Sequence, residues 1–145
     1  MIPEIPESKK FTQIASEVES IRDCLRGAVL AIEVERASVG KTDTDFDEDL
    51  QAILGLGVLL GDLQHRRVRA TELSATLPSP NRLSAKMGAE SVRLGKLLFE
   101  TIAHIRNIQS EIYRLARLNL RSASHKINHA DRMSTQKSVR KMAIA

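Results

Sequence analysis

Hydrophobic residues recur three and four positions apart along most of the chain, and this spacing predicts long helices rather than strands. In the first third of the chain the intervals alternate between three and four, at Phe11, Ile14, Val18, Ile21, Leu25, Ala28 and Ile32. Such a heptad seam is typical of coiled coils, in which helices lie nearly parallel to their partners. We therefore predict a first helix from Ser8, its N-cap, to Ser38, with Gly40 as the stop signal behind it.

A second helix is predicted from Phe46 to Leu77, because Pro78-Ser79-Pro80 ends the pattern. Acidic residues gather at its start, where the helix dipole favours them, and its body is apolar on nearly all sides. That body also contains glycines, each of which costs a helix about 1 kcal/mol relative to alanine. Two glycines four positions apart let another helix come close, so we predict an interface formed by Ile53, Leu54, Gly57, Leu60 and Gly61.

The longest apolar stripe begins after Asn81, which is predicted to cap a third helix. Its first part consists of Leu83, Met87, Leu94, Leu98, Ile102, Ile105, Ile108, Ile112 and Leu115. We extend the same stripe through Leu120, Ala123, Ile127 and Ala130. The pattern loosens beyond Arg121, so a short or flexible helix is expected at the C-terminus.

These elements predict an all-α fold, in the form of an elongated antiparallel bundle of three long helices that a second subunit completes. The expected organisation is an extended arm over residues 1–8, a helical bundle domain over 9–121 and a basic helix or tail over 122–145. An aromatic content of only 3% fits an aliphatic helix-on-helix core. The single cysteine, Cys24, excludes an intramolecular disulfide and is expected to be buried.

Neither export by a signal peptide nor a membrane span is expected. The N-terminus carries Pro3 and Pro6 where a signal peptide needs an apolar run. The longest strongly apolar run, Ala52 to Leu60, is far shorter than the ~20 residues that cross a bilayer. We therefore expect a cytoplasmic protein.

Charge is divided unevenly along the chain. The net charge is +4, but residues 1–64 carry six basic and thirteen acidic side chains, and residues 65–145 carry sixteen basic and five acidic ones. The two halves can attract each other within one bundle or across a dimer, or the second half can meet nucleic acid. The candidate basic patch consists of Arg66, Arg67, Arg69, Arg114, Arg117, Arg121, Lys126, Arg132, Lys137, Arg140 and Lys141.

Motifs that would indicate an enzyme, a cofactor or a metal are missing. The sequence contains no Ser-His-Asp order, phosphate-binding loop, dinucleotide fingerprint or zinc ligand set. The acidic run that starts at Asp43 imitates a calcium loop, but Glu48 and Leu54 occupy the positions that need glycine and glutamate. His125 and His129 lie four apart in a strongly basic region, which opposes binding of a cation. We predict no catalytic, cofactor or metal site.

Two short segments resemble proteins of bacterial signalling. The run from His104 to Asn107 resembles the H-box helix of histidine kinase dimerisation domains, although Ile105 stands where those domains carry an acid. Asp47 and Gln51 have the spacing of helical chemotaxis phosphatases of the CheZ type. In those enzymes the acid contacts magnesium or lysine and the amide positions a water molecule. The resemblance implies an auxiliary of a two-component or chemotaxis system.

The function predicted first is that of a non-enzymatic regulator or adaptor that binds another protein and forms a homodimer. Its basis is the surplus of apolar surface on the second helix and the division of charge. Nucleic-acid binding through the basic patch is one alternative, and the signalling role is another.

Overall fold

Three long α-helices packed together form the protein in a computed structural model, which describes residues 7–38 and 45–144 and, for side chains, residues 8–38 and 45–128. The helices are α1 (Glu7–Ser38), α2 (Phe46–Thr76) and α3 (Ala85–Ile144), and a 3₁₀ turn (Pro80–Arg82) precedes α3. The described residues include no β-strand. The prediction of an all-α bundle of three long helices is confirmed.

The core follows the predicted heptad pattern closely. All seven residues of the seam on α1 are buried, from Phe11 to Ile32. They pack with buried residues of α3, of which Leu94, Leu98 and Ile105 have no exposed surface. The third wall of the core comes from α2, through Leu56, Leu63, Ala70 and Leu73.

Contacts between side chains fix the directions of the helices. Gln64 contacts Gln109, and Asp49 contacts Lys126, so α2 and α3 run antiparallel. Arg69 of α2 likewise pairs with Glu17 near the start of α1, so α1 and α2 are antiparallel too. The helix α3 packs extensively against both other helices, whereas α1 and α2 touch each other much less. The chain therefore goes up, down and up again, with α3 as the element that both other helices lie against.

The ends of the helices agree with the sequence at some points and differ at others. The side chain of Asp45 accepts a hydrogen bond of 2.8 Å from the Glu48 amide and so caps α2. The predicted cap at Ser8 is wrong, because α1 already begins at Glu7. Asn81 lies inside the 3₁₀ turn, and Ser84 instead caps α3 by accepting from the Met87 amide at 3.3 Å. The predictions for Gly40 and residues 1–6 fall outside the described residues.

The connection from α2 to α3 is packed tightly against the first turns of α3. Ser91 is buried, and its hydroxyl donates a 2.8 Å hydrogen bond to the Pro78 carbonyl. A Cβ atom on Gly88 would come within 3.0 Å of the Pro80 carbonyl oxygen. A side chain at position 88 would therefore force this turn to move by a few tenths of an ångström.

The C-terminal part of the chain differs from the prediction. The sequence predicts a short or flexible helix after Arg121, whereas α3 continues without interruption to Ile144. Leu120 and Ile127 are exposed, although the predicted stripe includes them, and Asn119 is buried in their place. The reason is geometric, because Leu120 follows Leu115 by five residues, which turns a helix by about 140°. Ala123 is buried as predicted, and the side chain of Ala130 lies outside the described residues.

Candidate functional site

The predicted interface on α2 faces open space within this chain. Leu54 is 57% exposed, Gly57 and Gly61 are exposed, and Ile53 and Leu60 lie half-buried at the edge of the core. A Cβ atom added to either glycine would meet no atom within 4 Å. No described helix of the same chain uses these glycines for close approach.

Leu54, Gly57 and Gly61 belong to a longer exposed stripe on α2. Its members are four and three positions apart in alternation, at Leu50, Leu54, Gly57, Gly61, Gln64 and Val68. All six are exposed, and none carries a charge. The stripe therefore repeats the heptad spacing of a packed seam on a surface that nothing in the described chain covers.

A second exposed stripe runs along α3 at intervals of seven residues. It consists of Val92, Phe99, Arg106, Tyr113, Leu120 and Ile127, all of them exposed. Phe99 reaches 74% exposure, and Arg106 is the one charged member. Sequence reasoning missed this stripe as a unit, although the interval of seven is visible in the sequence.

Both stripes lie on the same side of the α2–α3 pair. Gln109 is buried, and its amide donates a 3.0 Å hydrogen bond to the Gln64 side chain. Gly61 and Val68 lie one turn before and after Gln64 on its own face, just as Arg106 and Tyr113 flank Gln109. We call this combined surface, made of the two exposed stripes, the α2–α3 face.

Most described members of the candidate basic patch already have partners in the chain. Arg66 pairs with Asp62 at 3.1 Å, and Arg67 donates a 3.2 Å hydrogen bond to Gln109. Other cations of the patch pair with acids as well, in the contacts Arg69–Glu17, Arg69–Glu72, Arg114–Glu111 and Lys126–Asp49. In the described part of the chain, only Arg117 and Arg121 of the patch are exposed without an ion pair. The side chains of Arg132, Lys137, Arg140 and Lys141 lie outside the described residues.

Ion pairs also join the acidic and basic halves of the chain. Glu17 and Asp49 belong to the acidic half, and they pair with Arg69 and Lys126 of the basic half at 2.8 Å and 2.7 Å. Part of the charge division is thus balanced within one chain.

Glu111 on α3 is held between two arginines. Arg114, one turn later on the same helix, lies 2.6 Å away, and Arg36 at the end of α1 lies 3.0 Å away. The hydrogen bond from Arg114 is the largest cause that lowers the pKa of Glu111, and Arg36 adds to it, so that the pKa falls to about 2. The pair with Arg36 ties the C-terminal end of α1 to α3.

A groove of about 500 Å³ opens where α1 ends and α2 begins. Five of its lining residues are acidic: Glu35, Asp45, Asp47, Glu48 and Asp49. Ser38, Gln51, Ala52 and Asn119 complete the lining. We call this site the acidic groove.

Two buried polar residues lie on the inner side of the acidic groove. Asp49 is 6% exposed, and its carboxylate receives a 2.7 Å hydrogen bond from the Lys126 ammonium group. Asn119 is 5% exposed, and its side-chain Nδ2 has no hydrogen-bond acceptor. Buried amide groups normally have partners, so an unpartnered one at the edge of a groove is a signal for a ligand.

The residues that resemble signalling proteins occupy different parts of the molecule. Asp47 and Gln51 share the wall of the acidic groove, where neighbouring carboxylates would repel a phosphorylated aspartate. His104 is exposed and lines a small hollow of about 130 Å³ between α1 and α3.

The one cysteine differs from its prediction. Cys24 is half-buried, whereas the sequence predicts a fully buried residue.

The described residues contain neither a metal-binding cluster nor a helix that could cross a membrane. They contain no group of three or more His, Cys, Asp or Glu side chains placed to hold a metal ion. Within the same part of the chain, every helix lacks a stretch that is both long and apolar enough to cross a bilayer.

Comparison with known proteins adds no family to this description. No protein-family model matches the chain, and no match is found among curated proteins or solved structures.

Proposed function

We propose that this protein is a non-enzymatic regulator or adaptor that acts by binding polypeptides, and that it forms a homodimer through the α2–α3 face. The observation that carries the proposal is the uncovered stripe on α2 from Leu50 to Val68, with heptad spacing and no charge. Helix faces of this kind are stable in water when another helix covers them.

The stripe on α2 suits a second copy of itself, because its residues are arranged symmetrically about the midpoint between Gly57 and Gly61. In an antiparallel two-fold pairing at this midpoint, each Gly57 faces the partner's Gly61. Leu54 then faces the partner's Gln64, and Leu50 faces the partner's Val68. A two-fold interface must be self-complementary in this way. The open space beside both glycines allows the two backbones to come close.

The charges at the border of the α2–α3 face favour the same pairing. Arg106 is exposed and has no ion pair among the described residues. Because Gln64 lies beside Gln109, Arg106 is at about the level of Val68. The antiparallel pairing brings the start of the partner's α2, with its exposed Asp47, to about this level. Arg106, the one charged residue of the stripe on α3, thus lies near the acidic start of α2 in the second copy.

Sedimentation equilibrium and size-exclusion chromatography with light scattering test the dimer directly. We expect a dimer at micromolar concentration, and at least ~10-fold weaker association for Gly57→Leu and Gly61→Leu, because a leucine at the crossing point overfills it. Gly27→Leu is the matched control, since Gly27 is also an exposed helical glycine with no atom within 4 Å of an added Cβ. A monomer at 100 micromolar, or equal effects of all three substitutions, would contradict the proposal.

Nucleic-acid binding has less support. Five of the seven described cations of the basic patch are engaged with side chains of the same chain. A cation that is paired within the chain must give up that pair before it can contact a phosphate. Weakening of the binding by added salt would be the mark of such phosphate contacts. A mobility shift with duplex or single-stranded DNA at low salt would support this alternative.

The signalling role rests on Asp47, Gln51 and His104. Phosphotransfer and dephosphorylation assays with a response regulator test it.

A further inference from the structure

We infer that the acidic groove is a binding site for a basic peptide segment, which inserts a lysine or arginine side chain and offers a neighbouring backbone carbonyl to Asn119. This site is separate from the α2–α3 face, because it lies between the end of α1 and the start of α2. A dimer and a ligand in the groove can therefore be tested independently.

The charge of the groove selects a cation. Asp45 uses its carboxylate to cap α2, and Asp49 is paired with Lys126. Glu35, Asp47 and Glu48 remain around the opening, and none of them forms an ion pair in the described residues. Carboxylates that surround one cavity lower the potential inside it, which attracts an ammonium or guanidinium group.

One ammonium group of the chain itself, that of Lys126, already binds a carboxylate of this groove. Lys126 reaches Asp49 with its side chain only about one-fifth exposed, so its apolar stem is largely covered. A second lysine or arginine can lay its stem along Ala52 in the same manner and keep its charged end among the outer carboxylates. The volume of about 500 Å³ is ample for one such side chain and the peptide group next to it.

Asn119 distinguishes a peptide from a simple cation. Its Nδ2 is buried without an acceptor, and the remaining lining residues supply none to it. A metal ion or a polyamine has no acceptor to offer, and a phosphate would be repelled by the carboxylates. A peptide carries a carbonyl oxygen beside each cationic side chain, so it can satisfy both the carboxylates and Asn119.

Nuclear magnetic resonance of the ¹⁵N-labelled full chain reads out Asn119 itself, because its side-chain amide gives its own resonances. The probes are blocked tripeptides with alanine on each side of arginine, of lysine or of citrulline, and butylguanidine, which carries the same single charge as the arginine peptide but no carbonyl. We expect saturable shifts of the Asn119 side-chain amide with the arginine and lysine peptides. The citrulline peptide, which is neutral, should cause none, and butylguanidine should bind at least ~10-fold more weakly than the arginine peptide.

Variants separate the two parts of the site. The double substitution Glu35→Gln with Glu48→Gln changes two acidic lining residues that the proposed dimer does not use, and it should weaken the arginine peptide at least ~10-fold. A control with the same change in charge, Glu19→Gln with Glu33→Gln, alters exposed residues of α1 away from the groove and should leave affinity unchanged. In Asn119→Leu, followed through the backbone amide of Gln51, the arginine peptide should bind no better than butylguanidine.

Several results would overturn the inference. These are the absence of a shift with either cationic peptide at millimolar concentration, an equal shift with the citrulline peptide, and equal weakening by the two double substitutions. A calcium titration tests one further contrary result. If calcium, and not the peptides, caused a saturable shift of the Asn119 side-chain resonance, the groove would be a metal site. Loss of dimer formation alone, with peptide binding intact, would contradict the proposed function and leave this inference standing.

Discussion

The ammonium group of Lys126 lies 2.7 Å from the carboxylate of Asp49, and this contact holds the later part of α3 against the first turn of α2. The Asp49 side chain is only 7% exposed, and that of Lys126 is 21% exposed. A buried charge without its partner is much less stable than the pair, whereas the pair itself is worth little more than two apolar residues.

Replacement of either residue of this pair alone should therefore be costly. We expect Asp49→Leu and Lys126→Met each to lower the free energy of unfolding by about 3–5 kcal/mol. The double variant should recover most of that loss. Arg26→Met is the control, because Arg26 and Asp23 form an exposed pair on α1, worth about 0.5 kcal/mol. Urea unfolding measures the free energy of unfolding of all four variants. A double variant whose loss equals the sum of the two single losses would contradict this prediction.

The core could be predicted from the sequence because the spacing of a heptad seam determines which residues share one face of the helix. Every seam residue of α1 from Phe11 to Ile32 is buried, since alternation of three and four keeps residues on one face of a helix. The prediction is wrong at Leu120, which lies five residues after Leu115 and therefore off the buried face of the helix. The structure continues at steps of four, through Asn119 to Ala123.

The candidate sites were less predictable, and the reason is that they depend on contacts between distant parts of the chain. The glycines of α2 predict an interface from the sequence alone, and this stays a prediction. The acidic groove could not be predicted, because Glu35, Asp47 and Asn119 meet only when the ends of α1 and α2 are placed beside α3. Two cations of the basic patch, Arg69 and Lys126, pair with Glu17 and Asp49, which are distant in sequence, so these pairs could not be predicted either.

Acid should weaken the contact between α1 and α3 through Glu111. Its pKa in the folded state is about 2, against an ordinary value of 4.5, so the charged form is favoured by folding. This contribution is fully present above about pH 4.5 and is lost as the pH falls toward about 2. Glu111→Gln should therefore be less stable than the wild type at pH 7, and the difference should shrink steadily below pH 4.5.

Urea unfolding at several pH values measures this difference, and titration of the side-chain carboxyl by nuclear magnetic resonance gives the pKa directly. Glu33→Gln is the control, because Glu33 is exposed on α1 and forms no ion pair among the described residues. A difference between wild type and Glu111→Gln that stays constant from pH 7 to pH 2 would contradict the assignment.

Two glycines near the start of α3 should respond oppositely to alanine. At Gly88, a Cβ would lie 3.0 Å from the Pro80 carbonyl oxygen, which also accepts a hydrogen bond from the Leu83 amide. At Gly95, the nearest atom to a Cβ is a methyl carbon of Leu77 at 3.6 Å, an ordinary contact. Gly95→Ala should gain about 1 kcal/mol of stability from helix propensity.

Gly88→Ala should lose stability despite the same propensity, because the turn must move away by several tenths of an ångström. We expect the two variants to differ by about 2 kcal/mol in thermal or urea unfolding. If Gly88→Ala were as stable as Gly95→Ala, the close approach between Pro80 and α3 would not exist in solution.

Asn119→Leu should make the free protein more stable. The Asn119 side chain is buried and its Nδ2 lacks an acceptor, a situation that costs about 1–3 kcal/mol relative to an apolar residue of similar size. Leucine in its place also continues the apolar core from Leu115 to Ala123. Thermal unfolding should show a higher midpoint, and Asn107→Leu, at an exposed position of the same helix, should leave it nearly unchanged. A loss of stability in Asn119→Leu would mean that Nδ2 has an acceptor in solution. A gain would mean that the chain keeps an unfavourable polar group at the acidic groove, which is the expected cost of a residue that binds a ligand there.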